Sequence, residues 1–248
     1  MDMIRFEHVS YAYPDGTPAL ADISFSVAAG EQVGLIGANG AGKSTLMKAI
    51  LGLITAEGRA EAAGLPVCRE NLAAIRQKLG YVLQDSDNQL FMPTVLDDLM
   101  FGPLNYGKTR AEAEAAADAA LTQLGVARLK NRRNQRMSGG EKRMAAIAAI
   151  LTMEPEMLLM DEPSAALDPG SRRTLIRTLN ALPQTKLIAS HDLDLILETC
   201  DRVILIGGGR VAADGPAEEI LRDRTLLESN SLELPFCLAG VPDRRTPR

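Results

Sequence analysis

Tryptophan is absent from this 248-residue chain and aromatic residues make up only 4% of it. Hydrophobic residues nonetheless reach 46%, so the core is expected to be mostly Leu, Ile, Val, Ala and Met. That is enough material for one large α/β domain or two small ones. No apolar run approaches the roughly 18–20 residues that a membrane-spanning helix needs. The opening MDMIRFEHVS has neither a basic n-region nor an apolar h-region, so no secretory signal is expected. Cysteine is scarce: Cys68, Cys200 and Cys237 stand far apart and are expected to be free thiols in a reducing compartment. A dedicated nucleic-acid binder usually shows a basic face, and the net charge of −5 argues against one.

What is present reads as alternating strands and helices. MIRFEHVSYAY alternates apolar and polar residues, with His8 an ordinary strand residue, and ADISFSVAAGEQVGLIG reads as further strands. KSTLMKAILGL and RENLAAIRQKL are helical, and GYVLQ is strand-like, ending in Gln84. TRAEAEAAADAALTQLG carries the clearest helix signals, with Thr109 as cap and Gly125 as stop. KNRRNQRMSGG reads as a basic, structureless link before the helix GEKRMAAIAAILTM. MLLMDEP and TKLIASHD are short buried-strand patterns, and RVILIGGGRVAADG is a hairpin. From Pro235 onward a frayed tail is expected. Short apolar strands alternating with helices indicate a mainly parallel sheet flanked by helices, with a more antiparallel first third and a helix-rich stretch at about 85–153.

Two places look like anion cradles. GANGAGKST, residues 37–45, matches G-x-x-x-x-G-K-[ST] between a strand and a helix. Glycines let the backbone wrap an anion, so N–H groups and the helix start face phosphate; Lys43 would reach the outer phosphates and Ser44 a Mg²⁺ ion. The second cradle is MSGGEK, residues 137–142, where a serine and two glycines open a helix. MLLMDE delivers Asp161 and Glu162 at a strand end. Alternating side-chain direction prevents both from doing one job unless the strand has already ended. One can hold a metal while the other polarises water. His191 and Gln84 end strands at the edge where open α/β sheets bind ligands.

Taken together these residues resemble the ATP-binding-cassette ATPases over about residues 3–225. The resemblance implies a P-loop NTPase core of mainly parallel sheet, with an antiparallel β subdomain and a helical lobe. It implies a cassette domain over 1–235, with a core formed by 1–84 and 154–225, a lobe at about 85–153, and a flexible tail at 236–248. Tyr13 matches the position that stacks on adenine. Gly37, Ala38, Asn39, Gly40, Ala41, Gly42, Lys43, Ser44 and Thr45 match the nucleotide loop, and Gln84 the glutamine that touches Mg²⁺ or water. Ser138, Gly139, Gly140 and Glu141 match the signature motif. Ser164 and Asp168 bound the D-loop, Asp161 holds the metal with Ser44 and Gln84, and Glu162 and His191 are catalytic with Lys43. Cofactors would be ATP and Mg²⁺. In that family two cassettes stack head to tail, so the second cradle serves the partner's ATP.

Two positions depart from the family pattern. Glutamate stands at 141 where glutamine is usual; a carboxylate there would repel a triphosphate unless it turns to solvent or a cation. Met144 stands where arginine is common, with Arg143 beside it. The run QDSDNQLF, residues 84–91, further resembles the ATPases of energy-coupling-factor importers, notably the cobalt and nickel group. This implies an ATP-hydrolysing subunit on the cytoplasmic face of the membrane. Its partners would be a second cassette (a homodimer), a transmembrane coupling subunit docking on 85–106 and a substrate-binding membrane subunit, with no nucleic acid. Selectivity for the ion would lie in the membrane subunits, because His8 and His191 with lone cysteines do not make a Co²⁺ or Ni²⁺ site. The rival readings are a vitamin importer or exporter subunit and a soluble non-transport cassette. A small P-loop GTPase or kinase lacks support, since a guanine-reading N-K-x-D is absent and the second cradle would be unexplained.

Overall fold

The computed structural model describes residues 1–240. In chain order the elements are β1 (Asp2–Ala12), β2 (Pro18–Ala28), β3 (Gln32–Ile36), α1 (Lys43–Ile50), β4 (Glu57–Ala62), β5 (Leu65–Pro66), α2 (Leu72–Lys78) and β6 (Leu79–Val82). They continue with α3 (Val95–Asn105), α4 (Arg110–Gln123), α5 (Gly139–Leu151), β7 (Met157–Asp161), α6 (Pro169–Ala181), β8 (Thr185–Ala189) and α7 (Leu193–Thr199). The chain then forms β9 (Arg202–Gly207), β10 (Arg210–Pro216), α8 (Ala217–Arg222), α9 (Arg224–Ser229) and α10 (Phe236–Ala239).

The strands form two sheets. One is antiparallel, in the order β2-β1-β4-β5; the other runs β10-β9-β3-β8-β7-β6 and is parallel except for the β9–β10 hairpin. Every residue of β7 and β8 is buried, as central strands of a covered parallel sheet should be, Thr185 and Lys186 of β8 included. One core cluster joins the antiparallel sheet and α1 to one face of the large sheet, through Phe6, Leu46 and Leu159 among others. A second covers the opposite face with residues of α5, α6 and α7 such as Ile147, Leu175 and Ile196.

The parallel register positions the chemistry. Leu35 and Asp161 both pair with Ala189, and Val82 pairs with Met160. The chain leaving β3, β6, β7 and β8 therefore emerges on one edge, bringing 37–45, Gln84, Asp161–Glu162 and His191 together. α4 has the cap that its sequence suggests: Thr109 and Glu112 form a reciprocal capping box, and Gly125 beyond it adopts φ +67.

Three local expectations are corrected. The link expected to be structureless at 130–140 contains a helical turn at Asn134–Arg136. Buried Asn134 donates to Asp98 Oδ2 at 2.6 Å and to Met92 O at 2.8 Å, while the N–H groups of Phe91 and Met92 donate to Asp98 Oδ1 at 3.0 Å. This carboxylate ties 91–92, α3 and the link into one unit, although burial pushes its pKa up. The tail expected to fray from 236 instead forms α10, whose first two N–H groups donate to Asp194 at 2.9 Å; residues 241–248 lie outside the described residues. His8 sits at a bulge of β1 with φ +53, its Nδ1 2.8 Å from Asp22.

Replacing Asp98 by alanine would remove the acceptor of two part-buried N–H groups and one of the two acceptors of the buried Asn134 amide. Unsatisfied groups of that kind cost about 1–3 kcal/mol. The variant should lose at least that much stability in urea denaturation, and an unchanged midpoint would contradict the role assigned to Asp98.

Candidate functional site

The loop 37–42 leaves β3 and enters α1 with Gly37, Gly40 and Gly42 at φ +154, +79 and +111. Close approach demands glycine at two of these. A Cβ on Gly37 would collide with the carbonyl of Ile206 at the end of β9, and one on Gly42 would lie 2.6 Å from Ala19 O. The loop is thus packed onto both sheets, and its residues line a cavity of about 660 Å³. Tyr13, Lys43, Thr45, Gln84, Glu162 and His191 are among the residues lining it. Sequence reasoning had assigned all six, and the structure brings them to one cavity.

Lys43 is 7% exposed and folds back onto its own loop, donating to Gly37 O at 2.6 Å and Ala38 O at 3.1 Å. Burial lowers its pKa, against the raising influence of Glu162 and Asp161. Phosphate oxygens can replace those two carbonyls as acceptors. Tyr13 sits at the rim, its hydroxyl 2.8 Å from Thr45 Oγ1 and its ring edge-on to Tyr11.

Strand β7 ends at Asp161, and Glu162 has φ +47. That left-handed residue breaks the alternation which would have sent two consecutive carboxylates to opposite faces. Asp161 takes a hydrogen bond from the Ser44 hydroxyl at the start of α1 and lies 3.4 Å from the Tyr81 hydroxyl. Burial raises the Asp161 pKa, and nearby Glu162 adds to the rise; Ser44, Tyr81 and Lys43 oppose it. The Ser44 hydroxyl, one carboxylate and the Gln84 amide oxygen form a hard-oxygen set. Mg²⁺ accepts such a set when phosphates and waters complete its octahedron, so these residues fit the ion.

Glu162 is held differently. Its Oε2 accepts from Ser190 Oγ at 3.1 Å and His191 N at 3.2 Å, and lies 2.7 Å from His191 Nδ1. All three donors converge on one oxygen, leaving Oε1 for the cavity. With Nδ1–H directed at Glu162, the outer ring nitrogen of the exposed His191 side chain is the free one.

Gln84 does not end a strand, as the sequence suggested. β6 closes at Val82, and the carbonyls of Leu83 and Gln84 are taken by Arg143. Tyr81, Ser190 and Arg143 are contacts that sequence reasoning missed. Ser190 adjoins His191 and Tyr81 lies in the run GYVLQ that ends in Gln84, and that proximity was the only available signal.

The second cradle opens a separate cavity of about 550 Å³, lined by Ser138, Gly140, Glu141, Asp168 and Ser171 among others. Ser138 caps α5 and forms a capping box with Glu141: Ser138 N donates to Glu141 Oε2, and Glu141 N to Ser138 Oγ, both at 3.2 Å. Glu141 also pairs with Arg128 at 3.3 Å. The bond from Ser138 N and the charges of Arg132 and Arg128 hold its pKa down against its partial burial. The carboxylate thus turns back onto its own helix cap and a cation. Gly140 has no room for a side chain beside Ser171, whereas Gly139 is open. Asp168 caps α6, accepting from Gly170 N and Ser171 N at 2.9 and 3.0 Å, and Ser164 bonds to Asp192. None of the residues lining this cavity lines the first. Among the described residues no three of His, Cys, Asp and Glu gather as a metal-holding group, and no helix is long and apolar enough to cross a membrane.

Comparison with known proteins gives this geometry a context. The family model described as ABC transporter matches residues 20–165. A protein of Gloeobacter violaceus, described as a candidate ABC transporter ATP-binding protein, is 49% identical over 235 residues, covering 94% of this chain and 96% of that one. An energy-coupling factor transporter ATP-binding protein of Methanothermobacter thermautotrophicus is 43% identical, covering 94% and 77%. A cobalt import ATP-binding protein of Rhodobacter capsulatus is 42% identical, covering 95% and 86%. Among solved structures, cbiO1 of Clostridium perfringens, described as part of the ABC transporter complex cbiONQ, superposes with a TM-score of 0.83 at 34% identity, covering 92% and 94%.

The raised pKa of Asp161 gives a pH test. A raised value means that the fold favours the neutral acid. That contribution is complete below the unfolded value of 3.8 and is lost as pH rises through the folded pKa. Asp161→Asn is neutral throughout, so it should gain stability relative to the parent as pH rises across that window. Denaturant unfolding of both chains at several pH values checks this; a difference independent of pH would contradict it.

Proposed function

The chain belongs to the ABC transporter family, as a subunit that binds and hydrolyses ATP to drive transport, and we propose that it energises a cobalt or nickel importer of the energy-coupling-factor kind. In this reading 1–84 and 154–225 form the nucleotide-binding core and about 85–153 the helical lobe. The observation that carries the catalytic part is the meeting, at one sheet edge, of a glycine loop with Lys43, a Ser44–Asp161 contact and a Glu162–His191 pair. The loop N–H groups and Lys43 hold the phosphates, and Tyr13 offers a ring to the base. Ser44, Asp161 and Gln84 would hold Mg²⁺, which when bound spreads the charge developing on the transferred phosphoryl group. Glu162 Oε1 is the oxygen free to orient and deprotonate the attacking water, while the Oε2 contacts from Ser190 and His191 fix its direction.

The two cradles open onto different cavities with no lining residue in common. A single chain therefore offers Ser138–Gly140 no nucleotide of its own, which supports a head-to-tail dimer in which that cradle closes on the partner's ATP. An exposed aromatic patch supports docking on a membrane subunit. Phe91 is 61% exposed and packs edge-on to Phe101, with Leu104 and Tyr106 also exposed nearby in sequence. The assignment of the solute rests on the QDSDNQLF run and the relative named for cobalt import. The chain would sit peripherally on the cytoplasmic face of the membrane. Cells deprived of it should lose ATP-dependent accumulation of radiolabelled Co²⁺ or Ni²⁺, and undiminished uptake of both would reject the solute.

Two experiments test the chemistry and the dimer. Glu162→Gln should retain ATP binding while turnover falls by about 10²–10⁴-fold, the range a positioned general base supplies; parental turnover would remove Glu162 from the role. For the dimer, Lys43→Ala and Gly139→Asp chains are mixed. Position 139 has room for the aspartate, so its effect is one of charge beside phosphate. A photoreactive γ-phosphate analogue, held by the chain with the intact loop, should label the other chain near Ser138. Labelling confined to the chain that holds the nucleotide would exclude the head-to-tail arrangement.

A further inference from the structure

Arg143 lies one turn into α5, four residues beyond Gly139, yet its guanidinium does not face the cradle. It is 3% exposed and reaches the loop after β6, donating through Nη1 to Leu83 O at 2.6 Å and through Nη2 to Gln84 O at 2.5 Å. These carbonyls belong to the two peptide groups that flank the Gln84 Cα. A planar fork holding both peptide planes fixes φ and ψ of Gln84, and so the direction in which its side chain leaves the backbone. Gln84 is among the residues that line the cavity of the glycine loop.

The same helix grips the loop twice more. The Gln89 amide accepts from Leu83 N at 3.0 Å and donates to Ala146 O at 2.8 Å, and Lys142 pairs with Asp87 at 2.5 Å. If satisfying two loop carbonyls were all that was required, a neutral donor would do so without the cost of burying a cation. No carboxylate forms an ion pair with Arg143 among the described residues; Asp85 acts on it only through its field.

The geometry points to Arg143 as a positioning residue for ATP hydrolysis: it locks the Gln84 backbone to the helix that begins with Ser138–Gly140, so that the glutamine over one nucleotide and the cradle aimed at the other move together. This rests on the role given above to Gln84. It also gives a use to the arginine that stands one place before the position the family commonly fills with arginine.

The test is a double-mutant cycle on the full chain, reading Mg²⁺-ATP hydrolysis and nucleotide affinity. Gln84→Ala and Arg143→Met should each lower kcat by about tenfold to a hundredfold, the scale of a misplaced catalytic group, and Arg143→Met should change affinity for Mg²⁺-ATP no more than Gln84→Ala does, since Arg143 acts on the nucleotide only through Gln84. The double variant should be no worse than Gln84→Ala alone, because two residues acting through one element do not add. Losses that multiply in the double variant, or parental turnover in Arg143→Met, would overturn the clamp while leaving Gln84 in its role. A Gln84→Ala chain with parental turnover would instead overturn the reading on which the clamp rests. If Arg143→Met does not fold, Arg143→Lys takes its place in the cycle. Lysine keeps the charge but reaches one carbonyl, so it should give a smaller loss that Gln84→Ala again abolishes.

Discussion

The parallel hydrogen-bond ladder that runs β9-β3-β8-β7-β6 is the constraint on which every proposed function of this chain depends. Four strands far apart in sequence end at the same height only because their registers are locked: Leu35 and Asp161 both face Ala189, and Val82 faces Met160. A one-residue slip in any of them would turn its side chains to the other face. It would also move a carboxylate, a glutamine or a histidine by about 3.3 Å along the strand, which exceeds the tolerance of a hydrogen bond. Complete burial of β7 and β8 makes such a slip costly, since both faces of each strand are packed.

The edge so formed concentrates charge in a poorly solvated place. Lys43, Asp161 and Glu162 are all less than a tenth exposed, and burial disfavours the charged forms of Lys43 and Asp161. A site built for stability alone would avoid this arrangement. It becomes favourable when a polyanion and a divalent cation enter, because ammonium, carboxylate and loop N–H groups then meet opposite charge. Ligand binding therefore stabilises the folded chain by mass action.

The second cradle resolves the same problem locally. Glutamate at 141 is harmless to a neighbouring anion only if its charge is spent elsewhere, and the capping box with Ser138 and the pair with Arg128 do that. Part of the repulsion expected from sequence is thereby cancelled, and Gly139 has space beside its Cα, with only Ala166 O in ordinary contact at 3.9 Å. Arg143 carries the constraint across the molecule. It ties this helix to a loop sixty residues earlier in the chain, so the helical segment and the sheet edge cannot reorient independently.

Much of this could be read from sequence because it is local. The glycine loop, the MLLMDE strand, the capped helix from Thr109 and the β9–β10 hairpin each carry their instructions within a dozen residues, where backbone geometry and side-chain period act. The site residues that belong to those patterns were legible for the same reason. What sequence did not reveal depends on partners distant in the chain. Asn134 orders a link that reads as structureless because it finds Asp98; α10 forms where fraying was expected because Asp194 accepts its first N–H groups; the strand β6 stops short of Gln84 where Arg143 takes two carbonyls. Even the relation between Asp161 and Glu162 was undecided until the backbone turned left-handed at 162. By itself the sequence determined which residues are capable of the chemistry, since that depends on residue type and short-range spacing. Only the tertiary structure decided where each of them points, since direction is set by the long-range hydrogen bonds and packing that no local pattern encodes.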